Sequence, residues 1–168
     1  ILGLTFEAIP CNTAQQIDLV ALEKKCAQDA PIAIIANMGT SATGAIDPIE
    51  EITAISTKHN CWLHIDAAWG GSNLLIDENN LFKQFMPKVD SLSFDPHKSL
   101  FQPRPCSVLF SHSKPEHTHD INYLSESPEK AISGSYGAEL FIPLWLNWKI
   151  LGSTGLVTVS TMIFLYNV

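Results

Sequence analysis

The sequence predicts an α/β fold, with a mainly parallel sheet flanked by helices. Three observations carry this. Short apolar runs at residues 32–36, 62–66 and 91–94 alternate with stretches of helical periodicity, the pattern of a parallel sheet joined by crossover helices. Two of those runs end abruptly, one on Asp66 and one on Asp95-Pro96, and a proline stops a sheet ladder because it has no N–H to donate. Hydrophobic residues make up 46% and charged residues 16% of the 168-residue chain, which fits a sheet covered by helices. That length is enough for one domain with a sizeable core.

The elements follow in order. Residues 1–9 read as an apolar strand. Asn12 or Thr13 can cap a helix that runs to about Gln28. Residues 32–36 form a continuous apolar run, expected to be a strand buried on both faces. Gly39 to Gly44 is a small, polar loop. Asp47-Pro48 opens the next helix, with Pro48 suited to its first position, and Ile49, Ile52 and Ile55 form its buried face. Residues 62–66 are the next strand, 80–86 a short helix, 91–94 a strand and 106–110 a further strand. A helical stretch follows Gly134-Ser135-Tyr136-Gly137 and runs to about Leu151, with a kink expected at Pro143. Its Phe141, Leu144, Trp145 and Trp148 suggest heavy burial.

Chemistry concentrates at the two abrupt strand ends. Lys98 follows one of them beside the apolar pair Leu100 and Phe101. Desolvation of an amine there would favour a nucleophile, the requirement for a Schiff-base lysine; the alternative is a solvated surface charge. Asp66 ends the strand of Trp62-Leu63-His64-Ile65-Asp66-Ala67-Ala68-Trp69-Gly70-Gly71. A carboxylate at the C-terminal end of such a strand faces the ligand crevice of an α/β sheet, and two glycines let backbone approach a ligand. The alternative is a turn cap. A lysine for the aldehyde carbon and an acid for the ring nitrogen are the two protein charges that pyridoxal phosphate needs.

These motifs, with Gly39-Thr40-Ser41-Ala42-Thr43-Gly44-Ala45-Ile46-Asp47-Pro48 upstream, closely resemble the group II pyridoxal-phosphate-dependent amino-acid decarboxylases. That family includes the glutamate, aromatic amino acid, cysteine sulfinate and diaminobutyrate decarboxylases. The resemblance implies part of the large domain of the fold-type I (aspartate aminotransferase-like) fold over residues 1–156. It implies an L-amino-acid substrate, pyridoxal phosphate as cofactor, Lys98 as the Schiff-base residue and Asp66 at the ring nitrogen. Ala68 would pack against the ring, and His97 would lie near the cofactor to orient substrate or assist proton transfer. Thr40 is a candidate cofactor contact, or part of a plain strand-to-helix turn. Tyr123 matches loosely the family's mobile-loop tyrosine, a proton donor. Ser135 is either a phosphate contact reaching a neighbouring protomer or an ordinary N-cap. Asp95 stands beside the cofactor where several members carry asparagine and others aspartate. A carboxylate there would repel a phosphate unless it points elsewhere or pairs with a cation. The parent enzyme is expected to be a homodimer with active sites between subunits.

The chain also departs from the family. The main phosphate-binding loop, the ring-stacking aromatic residue and the small C-terminal domain are absent from it, and Arg104 is its sole arginine. Residues 150–168 carry no charge. The segment 157–168 is read as an atypical apolar tail of a truncated chain; a membrane span needs about 20 apolar residues, and Gly152, Ser153, Thr154 and Gly155 interrupt this one. Three functional readings stand: a decarboxylase; another pyridoxal-phosphate-dependent carbon–carbon lyase of the same fold; or a remnant that only associates with partner subunits. The net charge of −7, without a basic run, argues against nucleic acid, and no membrane partner is expected. His117 and His119, with Glu116 and Asp120, lack a recognised metal-ligand spacing, so no metal is expected. The four cysteines are widely spaced without a CxxC pair, and no signal peptide is visible; reduced thiols and a cytoplasmic location are expected.

Overall fold

The computed structural model describes residues 3–75, 84, 86–113, 139 and 141–166. Helix α1 spans Leu19–Gln28. Strand β1 spans Ala33–Asn37, α2 Ile49–His59 and β2 Trp62–Asp66. A 3-10 helix follows at Gly70–Leu75, and another at Met86–Lys88. Strand β3 spans Ser91–Phe94, the single turn α3 Pro96–Ser99, β4 Val108–Ser111 and α4 Ile142–Tyr166. The sheet order is β1-β2-β3-β4. The first three strands are parallel, with Asn37 opposite Asp66 and Asp66 opposite Ser93. β4 runs antiparallel to β3.

Local chemistry moves several boundaries. α1 begins five or six residues later than a cap at Thr13 or Asn12 would start it, because Asp18 caps it by accepting from Val20 N and Ala21 N. Asn12 Oδ1 instead accepts from Ala14 N at 2.9 Å and Gln16 N at 3.1 Å, a local turn that competes with helix. Residues 3–9 form no strand, and Leu4 and Phe6 are exposed. Pro48 sits at the N-cap of α2 rather than inside its first turn. The adjacent Asp47 is buried, and its two oxygens accept from Ile17 N and Asn37 N, each at 2.7 Å. One carboxylate thus ties the entry to α1, the end of β1 and the start of α2. Of the short helix expected at 80–86, residues 80–83 and 85 lie outside the described residues.

The core lies on one face of the sheet. Leu22 and Cys26 of α1 and Ile49 and Ile52 of α2 pack with Ile34, Ala36, Leu63, Ile65 and Leu92. On the other face alternate residues are open: Ile35 is 51% exposed and Trp62 38%. β1 is therefore covered on one side only, contrary to the expectation of two, since no described element lies over Ile35. α4 departs from expectation as well. Pro143 sits in its first turn, where no intrahelical N–H bond is lost, and the break comes at Gly152, with φ 63°. Phe141, Trp145 and Trp148 are exposed, whereas Leu156 and Ser160 are buried, where α4 packs on the first 3-10 helix and α3. Among the described residues, no helix is long and apolar enough to cross a membrane.

This one-sided burial gives a test. Ile65 has no exposed surface and Ile35 is half exposed. Ile65→Ala should destabilise the chain by about 2–5 kcal/mol, and Ile35→Ala by under about 1 kcal/mol, measured by urea unfolding.

Candidate active site

Because β1, β2 and β3 are parallel, their C-terminal ends share one edge of the sheet. The ladder continues past the strands: Met38 N donates to Asp66 O at 2.8 Å, and Ala67 N to Ser93 O at 3.0 Å. Thr40, Asp66, Ala68, Asp95, His97 and Lys98 all follow these three ends. Tyr123 and Ser135 lie outside the described residues, as do His117 and His119.

The loops after β1 and β2 touch each other. A Cβ on Gly70 would fall 1.9 Å from Met38 O, and one on Gly71 would fall 2.2 Å from the Phe94 ring. The glycine pair therefore permits internal packing, which corrects its reading as a backbone approach to a ligand. Gly39 has φ +91° and faces Gly70 across the same contact. The Thr40 hydroxyl lies 2.9 Å from that of Thr43, and Thr40 N donates to Ala45 O at 3.0 Å. Thr40 is thus engaged in its own turn at the shared edge.

Asp66 is partly buried. Its Oδ1 accepts from Ala68 N at 3.0 Å and faces Ser93 Oγ at 3.5 Å; among the described residues no donor reaches Oδ2. One oxygen is fixed by the turn. Two residues back on the same strand face, His64 Nδ1 lies 2.8 Å from Ser91 Oγ, which accepts from Trp62 Nε1 at 2.8 Å. A chain in which Ser91 accepts from Trp62 and donates to neutral His64 uses each group once. Burial pushes the His64 imidazole below its ordinary value, and the Asp66 charge opposes that only in part.

Lys98 sits on α3, one turn beyond β3. Its side chain is 35% exposed, and Nζ lies 2.9 Å from Asp95 Oδ2. This corrects the expectation that apolar neighbours desolvate the amine: Leu100 is buried, but Phe101 turns outward with φ 53° and is 60% exposed. Asp95 also accepts from Ser107 Oγ at 2.6 Å. Burial works against the Asp95 carboxylate, but the bonds from Ser107 and Lys98 and the charges of Lys98 and His97 outweigh it and hold its carboxyl below the usual range. Asp95 thus pairs with a cation, Lys98. His97 Nδ1 lies 2.8 Å from Cys106 O and 3.1 Å from Cys106 N. The ring is pinned to the backbone through Nδ1, and among the described residues Nε2 has no partner. Asn147 of α4 donates to Leu100 O at 3.3 Å and Phe101 O at 3.0 Å, holding the turn after Lys98. Ser107 and Asn147 escaped the sequence reading, for neither belongs to a motif.

Residues 1–163 match the pyridoxal-dependent decarboxylase conserved domain. The chain belongs to the pyridoxal-dependent decarboxylase family. It is 32% identical over 162 aligned positions to an acidic amino acid decarboxylase, GADL1, of Bos taurus, covering 84% of this chain and 30% of that protein. It superposes on mouse CSAD in apo form with a TM-score of 0.69 at 26% identity, covering 90% of this chain and 35% of that one. For Oryza sativa TDC with PLP the TM-score is 0.72 at 25% identity, covering 90% and 32%. The fold alone is shared with a sphingosine-1-phosphate lyase of Burkholderia pseudomallei, with TM-score 0.75, 20% identity and coverage of 93% and 38%. These neighbours, with the mostly parallel sheet, fix the fold as type I, and pyridoxal phosphate is the family's cofactor. The chain spans under a third of the length of the curated relatives it matches.

Two outcomes follow from this geometry. Gly70→Ala should cost about 1–3 kcal/mol or more in urea unfolding, since the new Cβ meets backbone rather than a flexible side chain. The His64 contribution to stability is present above 6.5, its ordinary value, and is lost as the pH falls through the lowered value. His64→Gln should therefore flatten the loss of stability below pH 6.5, read from urea midpoints across that range.

Proposed function

We propose that the protein to which this chain belongs removes the α-carboxylate of an L-amino acid with pyridoxal phosphate, and that Lys98 and Asp66 hold the cofactor. The observation that carries this is their common place: Asp66 ends β2 and Lys98 follows β3, its parallel neighbour, in a chain of the pyridoxal-dependent decarboxylase family. The residues suit the cofactor. Oδ2 of Asp66, which no donor reaches among the described residues, can accept a ring N–H, and Oδ1 is already fixed by Ala68 N. Lys98 supplies an amine with part of its side chain open to solvent.

When bound, pyridoxal phosphate supplies the electron sink for loss of carbon dioxide. The chain supplies position and charge. Asp66 keeps a proton on the ring nitrogen by accepting from it. Lys98 would hold the cofactor through its side-chain amine. Ala68, one turn residue beyond, offers a small surface for the ring. His97, anchored through Nδ1, presents Nε2 to orient substrate or carry a proton. Thr40 stands at the same edge as a cofactor contact, and Tyr123 and Ser135 are assigned a proton-donor and a phosphate-contact role.

Phe141, Ile142, Trp145, Leu146 and Trp148 expose apolar surface along the first turns of α4. A contiguous apolar face of this kind favours a protein partner, and it supports pairing of two subunits. Three of the four cysteines are buried and all four are free. This supports a reducing, cytoplasmic setting.

The test is to add pyridoxal phosphate to the purified chain, reduce with borohydride and map the labelled peptide. The label should fall on Lys98 and vanish in Lys98→Ala. Asp66→Ala should weaken cofactor retention by at least about tenfold, the worth of a hydrogen bond to a charged group. A label elsewhere would reject the lysine assignment, and no label would place cofactor binding beyond what this chain holds alone.

A further inference from the structure

Asp95 stands at the N-cap of α3, yet its side chain caps no backbone N–H. The usual task of an aspartate before a helix is thus not what it performs. Both oxygens go to side chains instead. Oδ1 accepts from Ser107 Oγ at 2.6 Å, and Oδ2 meets Lys98 Nζ at 2.9 Å. The Asp95 side chain is only 14% exposed, against 35% for Lys98. The carboxylate is the better-buried partner, and Ser107, immediately before β4, aims it. A lysine has four rotatable side-chain bonds and much rotamer freedom; a fixed counter-ion three residues upstream removes most of that freedom.

We propose that Asp95 is a positioning residue, a counter-ion that tethers the Lys98 amine at the sheet edge and is itself aimed by Ser107. The meaning of the tether for cofactor attachment rests on the proposed function; the tether itself does not. Among the described residues, no other titratable group around α3 is paired with Lys98. His97 is turned to Cys106, and the Cys106 thiol is buried. The first 3-10 helix carries no ionisable side chain, and the one charged side chain of α4, Lys149, lies over the Trp145 ring at 5.8 Å.

The experiment is competitive acylation of the whole chain with trace acetic anhydride at neutral pH, reading Lys98 relative to Lys149 and Lys88. The ion pair holds the amine nitrogen against the carboxylate at 2.9 Å, where the reagent reaches it less readily. Asp95→Asn keeps the shape and removes the ion pair, so it should raise the relative reactivity of Lys98 by about two- to fivefold. Ser107→Ala should raise it by a smaller factor in the same direction, and it carries the test if Asp95→Asn does not fold. An unchanged Lys98 ratio in both variants overturns the proposal. So does an equal rise at all three lysines, which would mean a loosened fold. Neither readout uses pyridoxal phosphate. A selective rise with the borohydride label on another lysine would therefore keep the tether and reject the lysine assignment, and labelling of Lys98 without a rise would reject the tether alone.

Discussion

The close approach of the loops after β1 and β2 is the constraint on which the candidate site depends. Gly70 lies so near Met38 O that no side chain fits between them, and the ladder bond from Met38 N to Asp66 O runs beside that contact. These interactions hold the Thr40 turn and the Asp66 turn in one register. Buried Asp47 secures the same region from the other side by binding Ile17 N and Asn37 N. Buried backbone donors require partners, and here a single carboxylate meets two of them where three elements converge.

Two aspartates at this edge differ in how their oxygens are engaged. Asp66 has one oxygen held by its own turn and one without a donor among the described residues. Asp95 has both engaged, with Ser107 and Lys98. The first arrangement leaves capacity for an external donor; the second is an internal brace. Side-chain chemistry is the same in the two cases, and only the neighbours separate them.

Burial is asymmetric throughout. The face carrying Ile34, Leu63 and Ile65 is sealed by α1 and α2, while the face carrying Ile35, Trp62 and His64 is open or half open. The first turns of α4 are open as well. Fold-type I relatives are about three times as long as this chain. Apolar surface that a shorter chain leaves uncovered is unfavourable in water, and a partner or further polypeptide on these faces would remove it.

By itself the sequence determined the alternation of strands and helices, the parallel sheet and the family, because those depend on apolar periodicity and on motifs contiguous in the chain. The strand of Trp62 to Asp66 and the strand before Asp95-Pro96-His97-Lys98 fell where expected. Reading Asn12 as a helix cap failed because its side chain found local backbone donors, and reading β1 as doubly buried failed because periodicity cannot reveal which faces find a partner. Only the tertiary structure decided that Gly70 serves packing, that Ser107 binds Asp95, and that Asn147 braces the turn after Lys98. The physical reason is range. Propensity and pattern act between neighbours in the chain, whereas these contacts join residues that only folding brings within hydrogen-bonding distance.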